Sequence, residues 1–233
     1  MKPNTEMLRG IPPFVACTSG VLARLSDIAD LARLGPDEPL FREGDRLEEL
    51  NILISGYAIT TRVQPNGDDI AADLVEPIRP IALPAALRGG PAPFGARTAT
   101  SARVIVIAAP GLRTMIGRVP ALRSALLDHA LDDLQELTLE NYRLKWRTSA
   151  QRLADYLLSL IRGPDVSPAR FVLPYEKRLL AAKLGCTPES LSRILDTLRA
   201  IGVTTRDKAV VVRSVAALRE YAAAKRSRSH LLE

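Results

Sequence analysis

Cysteine, histidine and aromatic residues are all scarce in this 233-residue chain: two cysteines, two histidines, and 4% Phe, Trp and Tyr combined. Cys17 and Cys186 stand 169 positions apart, so neither a disulfide framework nor a cysteine-based metal centre is expected. The histidines, His129 and His230, lie far from any nucleophile motif, and no catalytic constellation is visible; an enzyme is not expected. Long apolar runs are missing too. The longest uncharged stretch, Gly10 to Ala23, has 14 residues and contains Pro12 and Pro13, too short and broken to cross a bilayer as a helix. Its apolar part, Ile11 to Ala16, is equally poor as a signal-peptide core. A cytoplasmic protein with no membrane partner is the expectation. With 47% hydrophobic and 25% charged residues, the chain is too apolar to be disordered and long enough for one or two domains.

What is present is an uneven charge. Residues 1–147 carry 17 basic and 18 acidic side chains, a net of −1, whereas residues 148–233 carry 15 and 8, a net of +7. A cationic last third beside a neutral remainder points to a polyanion partner, because each cation that neutralises a phosphate releases condensed counterions. A solvated basic surface is the alternative reading of charge alone.

From about Leu34 to Met115 the pattern is one of short strands and turns. Leu40 to Asp45 reads as a strand edge entering a glycine turn, and Asn51 to Val63 as two β-branched strands bent at Gly56. Pro65-Asn66-Gly67-Asp68 is a strong turn signal. Ile70–Val75 and Val104–Ile107 read as further strands. Pro77 to Pro93 holds five prolines in 17 residues and reads as loop. Strands at this spacing predict an antiparallel sandwich or barrel.

After Pro110 the period changes. Pro120 suits a first helical turn, and Ala121 to about Ile161 lacks proline and glycine, with apolar residues at helical spacing. Taking Leu127, Leu134 and Asn141 as heptad a positions makes Ala130, Leu137 and Leu144 the d positions, and a lone Asn at a fixes register in a parallel dimer. The alternative is a helix packed on its own barrel, with Leu126 and Leu131 inward. Gly163 to Pro168 ends the helical stretch.

Glu176 to Lys183 reads as a helix, stopped at Leu184-Gly185-Cys186, where Gly185 takes a left-handed turn. Thr187 is then an N-cap and Pro188 the first residue of a second helix, Glu189 to Ala200, closed at Gly202. Leu191, Ile194, Leu195 and Leu198 form its apolar stripe; Glu189, Ser192, Arg193 and Asp196 lie opposite. Val203–Thr205 and Ala209–Val212 flank Arg206-Asp207-Lys208 as a hairpin. This is a winged helix-turn-helix, whose second helix enters a major groove. Arg193 can read guanine O6 and N7, Glu189 can accept from cytosine N4, and Ser192 can reach a base or a phosphate. Lys177, Arg178, Lys183, Thr187, Ser190, Arg199, Arg206 and Lys208 are the expected backbone contacts on double-stranded DNA. Cys186, beside the recognition-helix N-terminus, is a candidate redox residue whose thiol pKa that helix end would lower.

On these residues the sequence resembles the CRP/FNR family of bacterial transcription regulators. Phe41-Arg42-Glu43-Gly44-Asp45 and Ile54-Ser55-Gly56 resemble its early barrel signature, and Pro188-Glu189-Ser190-Leu191-Ser192-Arg193 its recognition helix. The resemblance implies an α+β chain: an N-terminal antiparallel jelly-roll effector barrel (1–117), a dimerisation helix (118–147) and a C-terminal winged helix-turn-helix (148–233). The recognition helix is similar to those of the DNR/NNR, nitric-oxide-responsive branch and the FixK-like branch. This implies a homodimer reading palindromic TTGAT-type half-sites, with RNA polymerase as a further partner. The Gly-Glu-Leu and Arg-Ser that hold a cyclic nucleotide are replaced by Ile81-Ala82-Leu83-Pro84 and Pro91-Ala92-Pro93, and Arg97 falls later in the barrel; cyclic AMP control is not expected. Two cysteines exclude the four-cysteine iron–sulfur cluster. A response to nitric oxide or redox state, through haem on His129, is the expectation for sensing, and His230 falls in a basic tail. The alternatives are a ligand-independent, FixK-like regulator controlled by abundance or Cys186 oxidation, and a non-DNA-binding effector module.

Overall fold

Short β-branched runs separated by turns make the sheets of this protein, and leucine repeats at helical spacing make what covers them. The structure, a computed structural model, describes residues 1–64, 69–161, 163 and 167–224. The Pro65–Asp68 turn, residues 162 and 164–166 of the segment after the helical stretch, and His230 lie outside the described residues. The chain divides into two units, Met1–Gln135 and Glu136–Glu233.

The first unit opens with α1 (Thr5–Arg9), a 3-10 turn (Pro12–Phe14) and α2 (Ser19–Asp27). Leu8, Ile11 and Phe14, then Leu22 and Leu25, recur every third residue and are fully buried. The strands β1 (Ala29–Leu34), β2 (Pro39–Phe41), β3 (Glu49–Ser55), β4 (Ala58–Val63), β5 (Asp69–Val75) and β6 (Arg79–Ile81) follow. After α3 (Leu83–Arg88) come β7 (Gly95–Thr98) and β8 (Ala102–Ala108). One sheet runs β1-β8-β3-β6 and the other β2-β7-β4-β5, every pairing antiparallel. Two four-stranded antiparallel sheets make the expected jelly roll. Its core includes Leu50, Ile52, Val104, Ile105 and Ile107.

The proline-rich segment departs from the expected loop: it contains both β6 and α3. Pro80 is tolerated because β6 is an edge strand, where a missing N–H breaks no ladder on its outer side. Pro84 lies in the first turn of α3, where its N–H would have no helical partner, and Gly89 closes the helix at φ +63°.

Two more helices, α4 (Ala109–Arg118) and α5 (Pro120–Trp146), complete the series, and α5 runs on into the second unit. Leu122 and Leu126 of α5 are buried, as an inward stripe requires, but Leu131 is 53% exposed. The stripe continues instead at His129, three residues past Leu126, whose side chain is only 14% exposed. Five residues past Leu126, Leu131 has rotated off that face.

Helix does not continue unbroken to Ile161. It stops at Arg147, and Thr148 starts α6 (Ser149–Leu160) through a capping box: Gln151 N donates to Thr148 Oγ1 (3.2 Å) and Thr148 N to Gln151 Oε1 (2.9 Å). Strand β9 (Ala169–Val172), α7 (Lys177–Lys183), α8 (Pro188–Arg199), β10 (Val203–Arg206), β11 (Ala209–Val212) and α9 (Val215–Ala223) follow. The hairpin gains a third strand, in the order β10-β11-β9. Gln151 Nε2 donates to the Ala224 carbonyl (2.7 Å), and Arg147 to that of Ala222 (3.0 Å), so α6 satisfies the end of α9.

Gly56, at φ +81° between β3 and β4, has the least room for a side chain of the described glycines; a Cβ there would lie 2.3 Å from the Ser101 carbonyl oxygen. Gly56→Ala is expected to cost at least about 2 kcal/mol, from left-handed strain plus the clash, read as a lowered urea midpoint. An unchanged midpoint would contradict this placement.

Candidate nucleic-acid interface

Four leucines on α7 and α8 decide which way the charges point. Leu179 and Leu180 on α7 and Leu191 and Leu198 on α8 are buried, so the two short helices meet on their apolar sides. Gly185 adopts φ +60° in the turn, and the Cys186 N–H returns to the Ala181 carbonyl (3.0 Å). The opposite side of α8 is open: Glu189, Ser192, Arg193 and Asp196 are all exposed. The Arg193 guanidinium makes no hydrogen bond or ion pair with a described residue. Ser192 Oγ donates to the Pro188 carbonyl (3.1 Å), which leaves its lone pairs outward.

Thr187 caps α8. Its hydroxyl oxygen accepts from Ser190 N (3.2 Å), and Pro188 occupies the first turn. Glu189 stands over the same helix end. Its own backbone N–H first, then the Thr187 hydroxyl, hold its carboxyl below the usual carboxylate range, with Arg193 a smaller contribution in the same direction. The carboxylate is therefore ionised at neutral pH and can accept from a base amino group.

The candidate backbone cations are not equivalent. Lys177 and Arg178 are exposed at the start of α7, and Arg206 and Lys208 are exposed on either side of Asp207, which turns the hairpin at φ +51°. Lys183 is half-buried with its ammonium 5.5 Å from the Tyr156 ring centre. Arg199 pairs with Asp196 at 3.0 Å, within reach of the reading face. Ser190 is half-buried, its hydroxyl oxygen 3.2 Å from Thr187 Oγ1. The expected thiol activation at Cys186 is reversed: burial pushes the thiol pKa up, and Arg152 only partly offsets it. Arg152 is a residue that sequence reasoning missed. It comes from α6 and donates to the Leu184 carbonyl (3.2 Å), anchoring the turn between the two helices; its spacing in sequence from Leu184 carries no local signal.

On α5, Leu127, Leu134, Leu137 and Leu144 are exposed, each by more than half, Asn141 is exposed and Ala130 half-buried. Nε2 of His129 is buried with no hydrogen-bond partner, 3.7 Å from Asp133 Oδ2, and Asp133 also meets Arg79 of β6 at 3.4 Å. In the barrel, Leu83 and Ala86 of α3 are buried and Arg88 at its end is exposed; Arg97 of β7 is bound to Asp37, and Arg113 of α4 donates to the Ala86 carbonyl (2.8 Å) and reaches Glu48.

A jelly-roll barrel followed by a winged helix-turn-helix defines a DNA-binding transcription regulator fold. Residues 31–118 match the cyclic nucleotide-binding domain and residues 151–221 the Crp-like helix-turn-helix domain. The two matches, a cyclic nucleotide-binding domain followed by a Crp-like helix-turn-helix domain, support a DNA-binding regulator of the CRP type. A cyclic nucleotide binding protein from Ruegeria pomeroyi is 27% identical, over 95% of this chain and 97% of that one, with a TM-score of 0.64. FixK2 from Bradyrhizobium japonicum (21% identity, 84% of this chain and 98% of that, TM-score 0.66) shares the fold. So does the c-di-GMP-responsive regulator CLP of Xanthomonas campestris (21%, 84% and 100%, 0.67). No curated protein matches the chain in sequence. Around α3, Arg88 in its last turn is exposed, whereas the flanking segments carry neither an acidic nor a basic side chain. Ile81 to Pro84 supply no carboxylate for a ribose, and Pro91 to Pro93 no guanidinium for a phosphate.

Thr187→Ala is expected to cost about 1 kcal/mol of stability and to raise the Glu189 pKa part of the way toward the ordinary carboxylate value. With a depressed folded pKa, the contribution of ionised Glu189 is present at neutral pH and is lost as pH falls through that value. An NMR titration of the Glu189 carboxyl checks both; an unmoved pKa would remove Thr187 from the account.

Proposed function

We propose that the protein is a homodimeric, sequence-specific transcription regulator that reads palindromic TTGAT-type DNA half-sites with Arg193, Glu189 and Ser192. The observation that carries the reading is the exposed face of α8, on which an unpaired guanidinium and an ionised carboxylate stand one helical turn apart. Lys177, Arg178, Arg206 and Lys208 contact phosphates and set the register without specifying sequence. The leucine seam of α5 joins two copies in parallel, and Asn141 fixes its register. A pair of copies brings two α8 helices to half-sites about one helical turn apart. RNA polymerase is the downstream partner implied by the family resemblance.

For control, two observations favour the ligand-independent alternative over nitric oxide sensing by haem. His129 faces the Asp133–Arg79 pair with its Nε2 buried, and the Cys186 thiol is pushed toward its protonated form. Abundance of the protein then sets its occupancy on DNA.

Arg193→Ala, titrated against a palindromic TTGAT duplex, is expected to lose about 1–3 kcal/mol per half-site and to relax selectivity at one base pair. Equal weakening on every sequence would contradict base reading, and no DNA binding by the unaltered chain would favour the effector-module alternative.

A further inference from the structure

Like charges directly opposite one another destabilise an antiparallel strand pair, and proteins usually avoid them. In this barrel Arg33 of β1 lies directly opposite Arg103 of β8, and Ser55 of β3 is the partner of Arg103 on its other side. The three form a row across adjacent strands. Both arginines are exposed, and neither meets a carboxylate within ion-pair distance among the described residues. Arg46, Arg62, Arg79, Arg97 and Arg113 each have one (Glu48, Glu43, Asp133, Asp37 and Glu48 in turn), while Arg42 and Arg88 have none among the described residues; of the arginines without one, Arg33 and Arg103 are the pair that face each other across strands. Arg103 Nε instead donates to Ser55 Oγ at 3.3 Å, which anchors one guanidinium beside the hydroxyl. The next pair on the same face, Leu31 and Ile105, is buried, so the arginine stems rise from an apolar floor with their heads at its edge.

The geometry points to a site for a small tetrahedral oxyanion, a phosphoryl group, held between the Arg33 and Arg103 guanidiniums with the Ser55 hydroxyl as a third partner. Each guanidinium presents a planar fork of donors that matches two oxygens of such a group. A tetrahedral oxyanion offers oxygens in more than one plane and can take both forks; a planar carboxylate satisfies one. The bound anion removes the repulsion that the empty pairing carries, so binding and barrel stability are linked. This site is independent of the DNA-reading face, and its test contains no DNA.

The test is thermal unfolding of the full chain in inorganic phosphate against acetate and chloride at matched ionic strength. Phosphate at 50 mM is expected to raise the barrel's Tm by about 3 °C over chloride, and acetate to leave it near the chloride value. Arg103→Ala should abolish the phosphate increment. Arg33→Glu, which places opposite charges across β1 and β8, should abolish it too while raising Tm in chloride. An equal phosphate increment in the unaltered chain and both variants would be a general salt effect and would overturn the site. An increment from acetate as large as that from phosphate would overturn the phosphoryl assignment.

Discussion

Leucines left in water along α5 set the terms for everything proposed of this molecule. Leu134 is 60% exposed and Leu137 and Leu144 56% each, on a helix whose first turns are already anchored by buried Leu122 and Leu126. One face of the helix has found its partner in the barrel and the other has not. Removing such a seam from water is the main favourable contribution available to association, and a second copy supplies a self-complementary surface for it. The proposed pairing would be two-fold, and a palindrome would be its fitting DNA target.

At the reading end, the determining contacts are small and local. Thr187 and Pro188 start α8, Gly185 turns the chain into it, and Leu191 and Leu198 fix which side faces the domain. Given those three decisions, Glu189, Ser192 and Arg193 have nowhere to go but outward. Arg152 adds a longer tie, holding the turn from α6 through the Leu184 carbonyl. The barrel works differently: Arg97 of β7 is committed to Asp37, and Arg113 of α4 to Glu48 and the Ala86 carbonyl, while Arg88 at the end of α3 is exposed.

Much of this was legible in the amino-acid order. The glycine at 56, the cap at 187, the left-handed turn at 185 and the hairpin at Arg206–Lys208 are local signals, and the structure has each element where they put it. Proline density misled at Pro77–Pro93, because one proline falls on an edge strand and another in a first helical turn, the two settings that tolerate it. In the helices before Ala29, Leu8, Ile11, Phe14, Leu22 and Leu25 carry the period, but Pro12 and Pro13 interrupt it and mask the signal. Leu131 leaves the inward face because five residues past Leu126 is well over a quarter-turn of rotation away from it. The Arg33–Arg103 pairing and the Arg152 tie depend on register and on contacts between distant elements, which spacing in sequence does not encode.

The seam can be tested without DNA or effector. Sedimentation equilibrium of the full chain is predicted to give twice the 25.3 kDa chain mass, and the double variant Leu134→Glu, Leu137→Glu the single-chain mass with the barrel still folded. A single-chain mass for the unaltered protein, or a dimer that survives both glutamates, would contradict the account.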